Sequence, residues 1–198
     1  MSALELAEDA KRNNILDMAL TFTAMMRVFS KGSKQRIARQ LRELTSDLPA
    51  ITSAEGYEQA HKAFCEWFCR EIHTAERKLK NGKTKISKPT SYGQAAKVLD
   101  IVLKVYVFYC SQPSLHAASQ ISRFLHGAVD KPILDHLKGK YPAELVRATT
   151  IEQVDEQTYR TLQSLIARDI KDSFHDSLLP VQYDDIMWQE LNRENAQA

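Results

Sequence analysis

Apolar residues along this chain recur mainly at three- and four-residue spacing, the period of an amphipathic helix. Ile15, Met18, Ala19, Phe22, Met25, Met26 and Phe29 form the first such stripe and predict a helix ending near Lys31-Gly32. Ser33 is placed to cap a second helix carrying Ile37, Leu41, Leu44 and Leu48, stopped by Pro49. A third starts at Thr52-Ser53, carries Tyr57, Ala60, Phe64, Trp67, Phe68 and Ile72, and dissolves at about Lys80, where Asn81-Gly82 signals a turn.

The segment Ser91–Cys110 is different. It is apolar on nearly every side, broken only by Lys97, Asp100 and Lys104. Ser91 and Gln94 have capping-box spacing, which marks a helix start. Val102–Cys110 is also rich in strand formers, but the cap and the lack of partner strands favour a helix. Shorter helices follow from Ser114 to about Leu125 and from Asp130-Lys131-Pro132 to Lys138-Gly139. A long one begins at Asp155 and is broken by Pro180. A last one holds Tyr183, Ile186, Met187 and Leu191, with residues 193–198 expected to fray. The expectation is an all-α fold: one compact domain, residues 1–198, of about seven to eight helices around a buried central helix, Ser91–Cys110. Only six Gly and six Pro are present, too few for a turn-rich all-β chain.

Charge changes this picture in its distribution rather than its sum. The net charge is only +2, so bulk electrostatics does not mark a nucleic-acid binder. Every charged residue from Arg27 to Arg42 is nevertheless basic, and Arg77, Lys78, Lys80, Lys83, Lys85 and Lys88 make a second basic cluster in a loop spanning 77–90. The region after Asp155 is acidic. Two basic segments, 27–42 and 77–97, therefore suggest contact with nucleic acid or another anionic partner. Arg36, Arg39 and Arg42 lie along one helix side. Lys83, Lys85 and Lys88 precede a helix first turn, Tyr92-Gly93-Gln94 with Lys97 one turn on, whose open N–H groups suit an anion. Three cysteines without a framework read as reduced thiols, and the N-terminus lacks a signal-peptide pattern. No apolar run is long enough to span a membrane. Together these point to the cytoplasm.

Candidate chemistry is sparse. His61, Cys65, Cys69 and His73 recur every four residues. On a helix they span about 18 Å at about 1.5 Å per residue, too far for one ion, so they read as core-edge residues, and no metal or cofactor is implied. Lys97, Asp100 and Lys104 can satisfy one another at helical spacing. His126 and Asp130 form a possible polar site, with the alternative that they cap helix ends.

Two resemblances follow from short motifs. Tyr92-Gly93-Gln94-Ala95-Ala96-Lys97, taken with His126 and Asp130 before a short apolar segment, resembles a pattern in small bacterial helical proteins of no established activity, which implies a shared fold. Arg168 and His175, with six residues between, resemble the motif of the HEPN ribonucleases. In that family Arg and His meet at a dimer interface and act on the RNA phosphodiester, His moving the proton and Arg steadying negative charge. The sequence thus leaves three readings: a nucleic-acid-binding module, a metal-independent ribonuclease using Arg168 and His175, and a protein-interaction subunit docking a partner or a second copy.

Overall fold

The computed structural model describes residues 2–78, 82–144 and 148–197, with side chains up to Glu190. Lys80 and Asn81 of the basic loop lie outside them. Eight α-helices are present among the described residues: α1 (Ala3–Phe22), α2 (Ser33–Asp47), α3 (Ala54–Glu71), α4 (Tyr92–Leu103), α5 (Leu115–Ile121), α6 (Lys131–Lys140), α7 (Glu156–Phe174) and α8 (Pro180–Gln197). The expected all-α class and helix number hold. A two-residue antiparallel hairpin, β1 (Arg77–Lys78) and β2 (Thr84–Lys85), is the only pair of strands among the described residues, with Arg77 opposite Lys85. No described helix is long and apolar enough to cross a membrane.

The caps follow the sequence. Ser53 accepts from Gly56 N–H, Ser114 from Ala117, Asp130 from Ile133 and Asp155 from Thr158, each satisfying a donor the helix cannot. Ser91 and Gln94 close the expected capping box. The ends depart from expectation in places. The first helix starts at Ala3 and stops at Phe22, because Thr23 turns extended and caps a short 3-10 turn, Ala24–Val28. Phe29 is not helical. Residues 28–30, 72–75 and 88–90 instead run extended and pair through Ala75 N–H to Val28 O, Ser30 N–H to His73 O and Thr74 N–H to Lys88 O. The third helix consequently ends at Glu71, well before the basic loop. The backbone of α8 remains helical to Gln197, past the start of the segment expected to fray.

Helix α4 is the hub, packed against α1, α3 and α7. Ala95, Ala96, Val98, Leu99 and Val102 are wholly buried. Val102–Cys110 is helical rather than extended, but α4 gives way to a π-helical turn over Lys104–Tyr109, closed by Cys110 N–H to Val105 O at 3.0 Å.

Candidate functional site

The three polar residues of the central helix do not satisfy one another. Each leaves α4 in its own direction. Lys104 donates to Asp184 Oδ2 at 2.7 Å and Asp185 Oδ1 at 2.5 Å on α8. Asp100 turns into the core. Lys97 forms no ion pair among the described residues. It lines a cleft of about 610 Å³ together with Ile101, Asp130, Asp184, Asp185 and the aromatic residues Phe22, Tyr109 and Trp188.

That cleft has a polar floor and an aromatic rim. Phe22, Tyr109 and Trp188 are each more than half exposed, an unusual concentration of large apolar groups around one opening. Burial lowers the Lys97 amine below its usual range, against the pull of Asp130 and Asp184. Burial likewise pushes the Asp184 carboxyl up to about 6, although Lys104 opposes it. Asp184 Oδ1 is buried and has no well-formed hydrogen bond among the described residues. Asp130 spends one oxygen capping α6. The floor therefore presents a donor, Lys97, beside carboxylate acceptors with spare capacity. Phe22 and Ala24 are shared with an adjoining groove of about 450 Å³ that includes Arg27 and Lys34.

Asp100 belongs to a second constellation, enclosed beneath α4. Its Oδ1 stands 3.0 Å from His61 Nε2, and its Oδ2 accepts from the Tyr159 hydroxyl at 2.7 Å. Tyr159 Oη is also 2.9 Å from His126 Nδ1 and 3.2 Å from His61 Nε2. His126 Nε2 continues to Glu58 Oε1 at 2.7 Å, and His61 Nδ1 to Cys65 Sγ at 3.8 Å. Burial, reinforced by Asp100, raises the hydroxyl pKa of Tyr159 and Tyr57 and the thiol pKa of Cys65, so all three keep their protons. The His126 hydrogen bond holds the Glu58 carboxyl low, outweighing partial burial.

The remaining candidates from the sequence are dispersed. Lys97 and Asp130 share the cleft, whereas His126 faces the enclosed constellation. Arg36 is held by Glu71 at 2.6 Å, and Arg42 by Asn13 and Asp17; Arg39 is exposed. Lys85 and Lys88 both clamp Glu152, whose pKa they lower, and Lys83 is exposed on the hairpin. The first turn of α4 is not an open anion site. Gly93 N–H bonds Val154 O at 2.9 Å, Ser91 Oγ bonds Ile151 O, Tyr92 is half-buried and Gln94 is buried. A short 3-10 segment, Ile151–Gln153, covers it.

Arg168 pairs with Glu144 at 2.9 Å and lies over the Tyr141 ring, while His175 sits exposed at the left-handed cap of α7. Of the four-residue histidine and cysteine run, only His61 and Cys65 meet. His61, Asp100, Tyr159 and Glu58 were not marked as a set by the sequence. The single signal was a carboxylate, Asp100, inside an otherwise apolar helix. Comparison with known protein families, curated proteins and solved structures finds no match for this chain.

Proposed function

We propose that the protein binds unpaired nucleic acid, taking a base into the aromatic-rimmed cleft while the phosphate backbone crosses the neighbouring basic surface. The observation that carries this reading is the adjacency of the two features. The cleft of Lys97, Asp130 and Asp184 shares its Phe22 and Ala24 edge with the groove of Arg27 and Lys34. Arg27, Lys31, Lys34 and Arg39 are exposed and have no ion-pair partner among the described residues. Arg36, Arg42, Lys85 and Lys88 are engaged by carboxylates of this chain. The phosphate-facing surface is therefore assigned to Arg27, Lys31, Lys34 and Arg39 rather than to Arg36 and Arg42 or to the hairpin.

Phosphate contacts supply affinity without sequence preference, and exposed aromatics supply stacking, at about 1–3 kcal/mol per base. A duplex offers no free base face to such a cleft. A floor of one amine and spare carboxylate oxygens matches the mixed donor and acceptor edge of a base.

Fluorescence anisotropy with a labelled single strand and the matching duplex tests the reading over a salt series. Tighter binding of the single strand is expected, with affinity falling steeply as salt rises. Lys34→Glu should weaken binding and flatten the salt slope, and Trp188→Ala should cost roughly tenfold at any salt. Binding that is absent or independent of salt sinks the proposal.

A further inference from the structure

We propose that His61 Nε2, His126 Nδ1 and the Asp100 carboxylate hold one divalent transition-metal ion, zinc being the best fit, in a site enclosed between α3, α4 and the segment before α6. The three donor atoms lie within 4.8 Å of one another. A tetrahedral zinc ion with bonds of about 2.0–2.2 Å places its ligand atoms about 3.3 Å apart. His61 Nε2 and Asp100 Oδ1 already stand at 3.0 Å, so closure needs movement of up to about 1.5 Å by the third ligand. Two imidazoles and one carboxylate are borderline donors, suited to zinc and its first-row neighbours rather than to calcium or magnesium.

Two further observations separate this constellation from a chance cluster. Each histidine is anchored through the nitrogen that would not bind metal: His126 Nε2 by Glu58 at 2.7 Å, His61 Nδ1 by Cys65 at 3.8 Å. For His126 this is the support that ligating histidines use, since the Glu58 carboxylate fixes both tautomer and ring direction; the Cys65 sulfur orients the His61 ring more weakly. The Tyr57 hydroxyl, buried against the same histidines with its ring 5.1 Å from that of His126, has no well-formed hydrogen bond among the described residues, with only the His126 backbone beside it. An uncompensated buried hydroxyl is costly, and a water in the fourth position of the ion would supply its partner. Tyr159 is the alternative fourth ligand, since its oxygen lies within 3.2 Å of all three groups.

The ion would join elements far apart in the chain: position 61 on α3, position 100 on α4 and position 126 beyond α5. It differs from the every-fourth-residue run of His61, Cys65, Cys69 and His73, because cysteine sulfur stands behind a ligand instead of on the metal.

The test uses the full chain, stripped with a chelator, reloaded with zinc or cobalt(II) alone and passed through gel filtration. The expected result is about one ion per chain by elemental analysis and a tetrahedral cobalt spectrum without a thiolate charge-transfer band. Asp100→Asn and His126→Gln, each checked by circular dichroism, should retain less than about a tenth of that ion. Failure of the wild-type chain to keep stoichiometric metal overturns the proposal. So does a thiolate band, which would put the ion on the cysteines, and so does full retention by either folded variant. If both variants fail to fold, stoichiometry and the cobalt spectrum of the wild-type chain decide.

Discussion

Asp169 shows how one buried charge is made tolerable. Its carboxylate receives Tyr183 and His136 on Oδ2, and Lys140 and Ser173 on Oδ1, which ties α6, α7 and α8 together. Burial pushes its carboxyl upward, but the hydrogen bonds from Lys140, Tyr183 and His136 outweigh it and hold the pKa at about 2. The folded chain therefore binds this proton more weakly than the unfolded chain does. The stabilisation is complete above about pH 4 and drains away as pH falls toward 2. Asp169→Asn should cost about 3 kcal/mol at neutral pH, because the group facing Lys140 and Tyr183 loses its charge and one of its two acceptor oxygens. It should also remove that part of the acid transition; urea melts from pH 7 to pH 2 measure both. A variant as stable as the parent at neutral pH would contradict this account. Asp169 lay in plain view beside Arg168, and Ser173 is one turn along, but Tyr183, Lys140 and His136 sit fourteen to thirty-three positions away. The enclosed His61 set was hidden for the same reason. A helical spacing test sees only neighbours on one helix, and it grouped His61 with Cys69 and His73 rather than with Asp100 and His126.

At the scale of elements, caps were legible and stops were less so. Ser53, Ser91, Ser114, Asp130 and Asp155 act locally, through a side chain and an N–H a few residues on, so sequence alone locates them. The break at Thr23 and the end of α3 at Glu71 come from pairing between segments 28–30, 72–75 and 88–90, which no local pattern encodes. Gly93 was legible as part of an open helix first turn, but the group that approaches it is the chain itself. A β-carbon there would lie 2.6 Å from Val154 Cβ and 2.7 Å from the Ile151 carbonyl oxygen. Gly93→Ala should therefore destabilise the fold by about 2 kcal/mol by pushing the covering segment off α4. Gly139, inside α6, has nothing within 4 Å of the same position, and Gly139→Ala should add roughly 0.5–1 kcal/mol through helix propensity. Thermal melts of the two variants should move in opposite directions; a shared direction would mean that local strain is not what separates them.

Across the whole molecule, the segregation of basic and acidic stretches was legible, but its meaning was not. Glu152 gathers Lys85 and Lys88, and Asp184 with Asp185 gathers Lys104. Much of the acidic half is thus spent on this chain's own cations, which composition cannot reveal. The π-helical turn at Lys104–Tyr109 has a different reach. A turn closed by i to i+5 pairing holds one residue more than its α-helical equivalent. That extra residue advances the register, so the Tyr109 hydroxyl meets Asp185 at 2.6–2.7 Å while Phe108 packs against the core. The chain therefore carries a spare position at its midpoint. Removing one residue here, for instance Val107, should relax the turn into ordinary α-helix and leave everything downstream in phase. Removing Val98 would rotate every later residue of α4 by about 100° and unseat the core. The first deletion should yield a folded chain with a cooperative melt and the second should not, so this stretch is an interior helical position, among the described residues, where the molecule can shorten by a residue and keep its shape.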